Sequence, residues 1–326
     1  METVDFGYLA EKITAAPFSD DPFRHVYIDD FLSQEHFNQI LSCSEIAAPP
    51  ASNDKELFSL LRGQGYKPIP FPGCITDEDA YIRWHRGEEQ IDPHSSTEGF
   101  GVVLRLEDIR SPILVALRDY LDSEAFNRAV AQKFDVDFDK CTFDGGIQKY
   151  LDGYEISPHP DIRRKATTFM VNINPNDHSE SANHHTHYMT FKPERAYVQS
   201  FWQGNPKTDR CWVPWDWCET SFQQTKNNSV VLFSPDNDTV HAVRARYDHL
   251  MTQRTQLYGN LWYEVSPAEN KLEWEQLDLG GHAISKKPAR RIGRAKKQST
   301  WSLSPKKLLK AIGGRSDNSD VGKRRI

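Results

Sequence analysis

Between Thr142 and about Val265 the chain is a succession of short runs in which apolar and polar residues alternate, each run bounded by turn residues. A strand turns successive side chains to opposite faces. KATTFMVNIN therefore sets Thr168, Met170 and Asn172 on one face, with Thr167, Phe169, Val171 and Ile173 on the other. RTQLYGNLWYEV sets Arg254, Gln256, Tyr258, Asn260 and Trp262 against Thr255, Leu257 and Leu261. The remaining runs are GGIQKYL, YEISPH, HYMTF, AYVQSFW, NSVVLFS and VHAVRA. Many short strands with regular turn signals predict an antiparallel barrel or sandwich.

The segments around these runs differ in character. Residues 1–22 read as a lead-in. Residues 23–141 read as a helical, supporting part of the same domain. There HVYI is strand-like, Asp29 and Asp30 precede a helical pattern with Ser33 and Glu35 in its first turn, and NDKELFSLLRG and Ser111–Phe134 carry helical spacing. The stretch 175–224 holds Trp202, Trp212, Trp215 and Trp217 and is too long for a plain connection, so it reads as an insertion or lid within a core spanning 142–265. Residues 266–284 form a C-terminal extension. From Ser285 to Ile326 there are 14 Lys and Arg against 2 Asp, or +12, so the rest of a chain of net charge −6 carries −18. A basic, apolar-poor tail of this kind is expected to be disordered and to suit an acidic partner, nucleic acid or an anionic membrane surface. The acidic body argues against a groove for nucleic acid.

No uninterrupted apolar run approaches about 18 residues, so no transmembrane helix is expected. The first residues lack a basic stretch followed by an apolar one, so no secretory signal is expected. Five cysteines without a CxxC predict reduced thiols and a cytoplasmic setting.

The chemistry-bearing residues lie within the β region. His159 and Asp161 are two apart in SPHPD, so one strand could turn both to one face. A third ligand must come from elsewhere, and His241, opening a later strand, is the best placed. Two imidazoles and one carboxylate on one face leave coordination positions open, the arrangement suited to non-haem Fe(II) and O2. Arg254 opens the last core strand, and a guanidinium inside a barrel needs a carboxylate, which it grips in bidentate fashion. Arg244 and Arg246 compete for that role by spacing. His184, His185 and His187 form a second histidine cluster, read as a polar lid loop. Arg83–Glu89 reads as surface charge, and Arg163 and Arg164 could grip an anionic substrate. CWVPWDWCE could wall a pocket or anchor the insertion.

The ordered pieces YLDGYEISPHPD, KATTFMVNIN, VVLFSPDNDTVHAV and Arg254, with PFRHVYIDDFLSQEHFNQI upstream, resemble the Fe(II)/2-oxoglutarate-dependent dioxygenases, in particular their prolyl-4-hydroxylase-like branch. The resemblance covers about residues 23–265. It implies a mainly β fold with flanking helices around a double-stranded β-helix (jelly-roll, cupin-like) core. It implies Fe(II) held by His159, Asp161 and His241, and 2-oxoglutarate paired with Arg254 and hydrogen-bonded from Tyr150, Thr168 or Asn172. It further implies use of O2, release of succinate and CO2, and hydroxylation of a small molecule or a protein or peptide side chain. A carboxylate at Asp161 favours hydroxylation over halogenation. The alternative is a non-catalytic jelly-roll binding module, and a nucleic-acid demethylase stands behind both.

Overall fold

The computed structural model describes residues 4–91 and 95–265. The expected extension 266–284 and the basic tail 285–326 lie outside the described residues. In chain order the elements are α1 (Tyr8–Ala15), β1 (Val26–Ile28), α2 (Gln34–Leu41), α3 (Asp54–Gly63), β2 (Tyr66–Pro68), α4 (Glu78–His85), β3 (Val103–Leu106), α5 (Pro112–Leu121) and α6 (Glu124–Lys133). They continue with β4 (Cys141–Tyr150), β5 (Glu155–His159), β6 (Lys165–Asn172), β7 (Thr186–Phe191), α7 (Tyr197–Gly204), β8 (Cys218–Gln223), β9 (Val230–Phe233), β10 (His241–Arg244) and β11 (Arg254–Tyr263).

The strands form two antiparallel sheets. The larger has the order β1-β9-β6-β11-β4-β3-β2 and the smaller β5-β10-β7-β8. From β4 onward the chain crosses between them at every step except β7 to β8: β4, β6, β9 and β11 lie in the large sheet, and β5, β7, β8 and β10 in the small one. Eight strands wound in this way make a double-stranded β-helix, so the jelly-roll expectation holds. β1, β2 and β3 extend the large sheet from the preceding segment.

Alternation along the strands decides where the core sits. Phe169 and Val171 of β6 and Leu257 and Leu261 of β11 face outward from the space between the sheets, into one apolar cluster. That cluster includes Leu9 and Ile13 of α1, Leu57 and Leu61 of α3, Leu114 and Leu117 of α5, and Phe126 and Val130 of α6. The helices thus cover the back of the large sheet, and its other face is left to line the interior of the β-helix. Caps fix the helix starts: Ser33 accepts from His36 N, as its first-turn position suggests, and Asn53, Asp77 and Ser123 cap α3, α4 and α6. α1, α4 and the short strands β2 and β3 have no counterpart in the sequence reading.

Two elements of that reading change. AYVQSFW folds as helix α7, not as a strand. Val198 packs with Met189, Val240 and Ala242, and Trp202, four residues on, is also buried, while Tyr197 and Phe201 stay exposed. A short apolar run satisfies both periods, and the tertiary contact decides. Of the stretch 175–224, β7 and β8 are core strands of the small sheet; the excursion proper runs from Lys192 to Trp217. The Lys192 amide donates to Trp217 O at 2.9 Å and closes its neck. All five cysteines are free, and no helix among the described residues is long and apolar enough to cross a membrane.

The turn between β4 and β5 needs its glycine. Gly153 has φ 76°, and a Cβ there would sit 2.2 Å from the Trp84 ring. Trp84 belongs to α4, so this close approach locks the supporting helix to the β-helix beside the strand that carries His159.

A polar network completes the lock. His85 donates to Asp54 Oδ2 at 3.1 Å and to Asp152 Oδ2 at 3.2 Å. His249 accepts from Asp152 N through Nδ1, so its Nε2–H donates to Asp54 Oδ1 at 2.8 Å. Asp54, His85 and His249 have the composition of a metal site. Here, though, every imidazole nitrogen already has a hydrogen-bond partner, and the network is satisfied without an ion. Hydrogen bonds to Asp152 and Asp54 push the His85 pKa up from 6.5 to about 9. Its folded-state value lies above its unfolded one, so its stabilisation is full below pH 6.5 and is lost as pH rises through about 9. Asp54 has the opposite sign. Burial opposes its ionisation, but His249 and His85 outweigh burial and depress its pKa, so its contribution is lost as pH falls. His85→Gln is expected to be less stable than wild type by roughly 1–2 kcal/mol near pH 6, discounted for the partly exposed ring, with the gap closing by about pH 10. Parallel thermal melts across that range check it, and a gap independent of pH would refute it.

Candidate metal centre

The site is built on one cross-strand pair. β10 runs antiparallel to β5 with His241 opposite His159, which brings the two ring centroids to 4.3 Å. From that pair to Val243↔Ile156, β10 advances two residues and β5 three, so β5 carries a bulge at Ser157 and Pro158. A bulge re-aims the strand, and here it turns both Ile156 and His159 into the interior. Proline is tolerated because its missing N–H falls at the irregular step.

Asp161 arrives differently from the expectation. β5 ends at His159, so the i, i+2 rule does not place the carboxylate. Asp161 instead adopts φ 71°, a left-handed conformation rare outside glycine but within reach of Asp, and the chain folds its side chain back over the strand end. Asp161 Oδ1 lies 3.5 Å from His159 Nε2, and Oδ2 lies 3.8 Å from His241 Nε2. The three residues form one cluster able to hold a metal ion.

The hydrogen bonds set the protonation states. His159 Nδ1 is 2.8 Å from Ser157 O, and His241 Nδ1 is 2.9 Å from Thr239 O. A carbonyl only accepts, so each Nδ1 carries a proton, and Nε2 is the ring nitrogen that faces Asp161. Burial, then the neighbouring His159, pushes the His241 pKa down to about 3, so the ring is neutral at neutral pH. Burial opposes ionisation of Asp161, yet Lys165, His241 and His159 together hold its carboxyl well below the usual range. Thr168 donates to Asp161 Oδ2 at 3.0 Å and Lys165 to Oδ1 at 2.7 Å, which orient the carboxylate.

The cluster opens into a cavity of ≈ 350 Å³ lined by both sheets. Arg254, 2 % exposed, also lines it. One terminal nitrogen donates to Thr186 Oγ1 at 2.9 Å, and the guanidinium lies 4.5 Å over the Tyr150 ring. The other terminal nitrogen, Nη1, is buried without a partner, and no carboxylate among the described residues forms an ion pair with Arg254. The competing arginines are otherwise engaged. Arg244 makes a bidentate pair with Glu155 at 2.7 and 2.8 Å, and Arg246 is exposed.

The other residues singled out in the sequence divide. Tyr150 and Thr168 line the cavity; the Tyr150 hydroxyl donates to Gln148 Oε1 at 2.6 Å. Asn172 does not line it. Its amide nitrogen donates to Gln224 O and Lys226 O and its oxygen accepts from Gln256, so it ties strands together. His184 and His185 are buried behind Arg254 on carbonyls of Ser179 and Glu180, and His187 meets Thr220; these histidines do not converge on an ion site. Arg163 stacks on Trp202 at 3.8 Å and donates to Trp202 O and Thr208 O, anchoring the excursion instead of facing the cavity. Arg164 bonds Tyr263 O. Arg83 pairs with Glu89 at the surface. Trp212, in the CWVPWDWCE segment read as a possible pocket wall, lines the cavity, whereas the sequence reading passed over Lys165, Thr186, Arg105 and Gln148, which line it too. For Lys165 a signal existed, a cation four residues after the carboxylate. For Arg105 only the fold of β3 brings it there.

No family model matches the chain. No curated protein matches it either. Among solved structures it is similar to a Trichoplax adhaerens prolyl hydroxylase in complex with a hypoxia inducible factor oxygen degradation domain peptide fragment, at 11% identity, over 78% of this chain and 88% of that one, with a TM-score of 0.37. It is also similar to a Pseudomonas putida prolyl-4-hydroxylase, at 9% identity, over 79% and 98% of the two chains, TM-score 0.37. A third is HygX from Streptomyces hygroscopicus with nickel, 2-oxoglutarate and hygromycin B bound, at 9% identity over 61% and 83%, TM-score 0.29.

Proposed function

We propose that this chain is an Fe(II)- and 2-oxoglutarate-dependent oxygenase that hydroxylates a small molecule or a protein or peptide side chain. One observation carries the reading: the Nε2 atoms of two imidazoles, a carboxylate held ionised and a buried guanidinium without a counter-ion share one cavity. The donor set fits Fe(II), which keeps open positions for further ligands when bound by two histidines and one carboxylate. When bound, iron with 2-oxoglutarate and O2 supplies the oxidising chemistry, with succinate and CO2 released.

The chain's own groups do the rest. His159, His241 and Asp161 hold the ion, while Ser157 O and Thr239 O fix the imidazole tautomers. Arg254 takes the far carboxylate of the keto acid, helped by Thr186 and the Tyr150 ring. The desolvation cost of that cation is offset only when an anion arrives, which selects a diacid. Phe233 and Tyr188 from the two sheets wall the inner cavity and restrict water. A volume of ≈ 350 Å³ lies at the small end of ligand pockets, so the cavity fits the cosubstrate with a compact reacting group. We place the chain in the prolyl-4-hydroxylase-like branch on its sequence motifs, with hydroxylation as the outcome. A binding module would have no use for two imidazoles and a carboxylate converging in one cavity with an uncompensated arginine.

Anaerobic addition of Fe(II) and 2-oxoglutarate to the full chain is expected to give a weak visible charge-transfer band, and admission of O2 to give succinate. Absence of both, with metal content confirmed by elemental analysis, would refute the reading.

A further inference from the structure

We propose that the outer half of this cavity holds the substrate through an oxyanion, with Arg105 and Tyr258 donating to it and Trp212 donating from the opposite wall. The word substrate rests on the oxygenase reading; the anion preference rests on the hydrogen-bond inventory alone.

Charge does not decide the matter. Lining the cavity, Arg105, Lys165 and Arg210 face Asp144, Glu98 and Asp161, three cations against three carboxylates before Arg254 is counted. Hydrogen bonding does. Four lining residues carry a buried polar atom with no protein partner: Arg105 Nε, Trp212 Nε1, Tyr258 Oη and Arg254 Nη1. Three of these atoms can only donate, and a phenol donates as readily as it accepts. Most side-chain acceptors of the lining are already engaged. Asp161 is taken by Lys165 and Thr168, Glu98 by Arg210, Gln148 by Tyr150 and Thr186 by Arg254. Asp144 stands beside Arg105, 3.6 Å from its Nη1, and beside Tyr258, yet leaves Arg105 Nε and Tyr258 Oη without a hydrogen bond. Buried polar atoms in native proteins are almost always satisfied, so a ligand rich in acceptors is the missing partner. The cosubstrate accounts for Arg254, and three donors remain.

Their placement defines two stations. Arg105 on β3 lies with its guanidinium 5.2 Å from the centre of the Tyr258 ring on β11, so these donors are neighbours on the large sheet. Burial, and after it the neighbouring Asp144 carboxylate, raises the Tyr258 pKa and keeps its hydroxyl protonated. Trp212 comes from the excursion and stacks at 6.4 Å on His159, beside the metal edge. A substrate with its reacting carbon near His159 therefore lies along Trp212 and extends its anionic group to Arg105 and Tyr258.

The test uses benzoate and phenyl phosphate as probes, with benzamide and benzylammonium as neutral and cationic controls. Metal and 2-oxoglutarate loading of the full chain is measured first by the visible band, so failure of the oxygenase reading shows before any probe is added. Calorimetric titration then follows with saturating Ni(II) and 2-oxoglutarate, and again without them. Either anion is expected to bind at least about tenfold tighter than both controls, and the stronger of the two tells a planar from a tetrahedral oxyanion. Arg105→Gln should weaken the anion about tenfold or more with benzamide unchanged. Tyr258→Phe, which keeps the ring and the fold, should weaken it about fivefold. Benzylammonium binding as well as the anions, or anion affinity unchanged in both variants, would overturn the proposal.

Discussion

Arg254→Met is expected to weaken 2-oxoglutarate binding severely while leaving the metal-free protein as stable as wild type or more so. The two halves of that result have one cause. The Arg254 guanidinium is 2 % exposed and has only a hydroxyl and a ring beside it. Burying a cation costs several kcal/mol, and a hydroxyl offsets little of that. Met fills the same volume without the charge, so thermal melts of the metal-free variant should show a gain of about 1–3 kcal/mol. The far carboxylate then loses a charge-assisted partner in a dry site, worth about 2–4 kcal/mol, or roughly 30- to 1,000-fold in affinity. Titration of the visible band reads that loss. A variant that binds the keto acid normally would remove Arg254 from the site, and a large loss of metal-free stability would make it a structural residue only.

Asp161→Ala separates the opposite way. Loss of an oriented partner of a ligand already costs about 10–100-fold in metal affinity, and loss of the ligand itself should cost more. Succinate formation should fall to background. The metal-free protein should also lose about 1–3 kcal/mol, because Lys165 loses its acceptor and Thr168 loses one of two, keeping Asn260 Oδ1. Lys165 is partly exposed and can turn to water, which keeps that figure below the cost of a fully buried orphaned charge. Metal content after dialysis and melts with and without Ni(II) measure both parts. Retained metal affinity in this variant would contradict the site.

The sequence carried the fold well, because strands buried on one face must alternate. KATTFMVNIN and RTQLYGNLWYEV became β6 and β11 with the stated faces, Arg254, Tyr258, Asn260 and Trp262 inward. The convergence of His159, Asp161 and His241 was legible from chain order and residue type. Its mechanism was not. The bulge at Ser157 and Pro158 and the left-handed Asp161 are backbone events that depend on the partner strand, and no local pattern announces them. Asn172 misled because its strand face was right but its depth was wrong: at the end of β6 it meets Gln256 and the carbonyls of Gln224 and Lys226 before it can reach the cavity. Arg163 misled because a cation beside the metal edge can serve an aromatic ring as well as an anion, and Trp202 lies 39 residues away in sequence.

The neck of the Lys192–Trp217 excursion has a consequence for how such a scaffold diversifies. Phe191 and Cys218 pair directly across β7 and β8, so the loop leaves and rejoins the sheet at one point. Closing a longer or shorter loop across a fixed gap costs little extra entropy. The wall bearing Trp212 can therefore be swapped like a cassette, and selectivity re-engineered by loop grafting, while the ion-holding strands stay untouched.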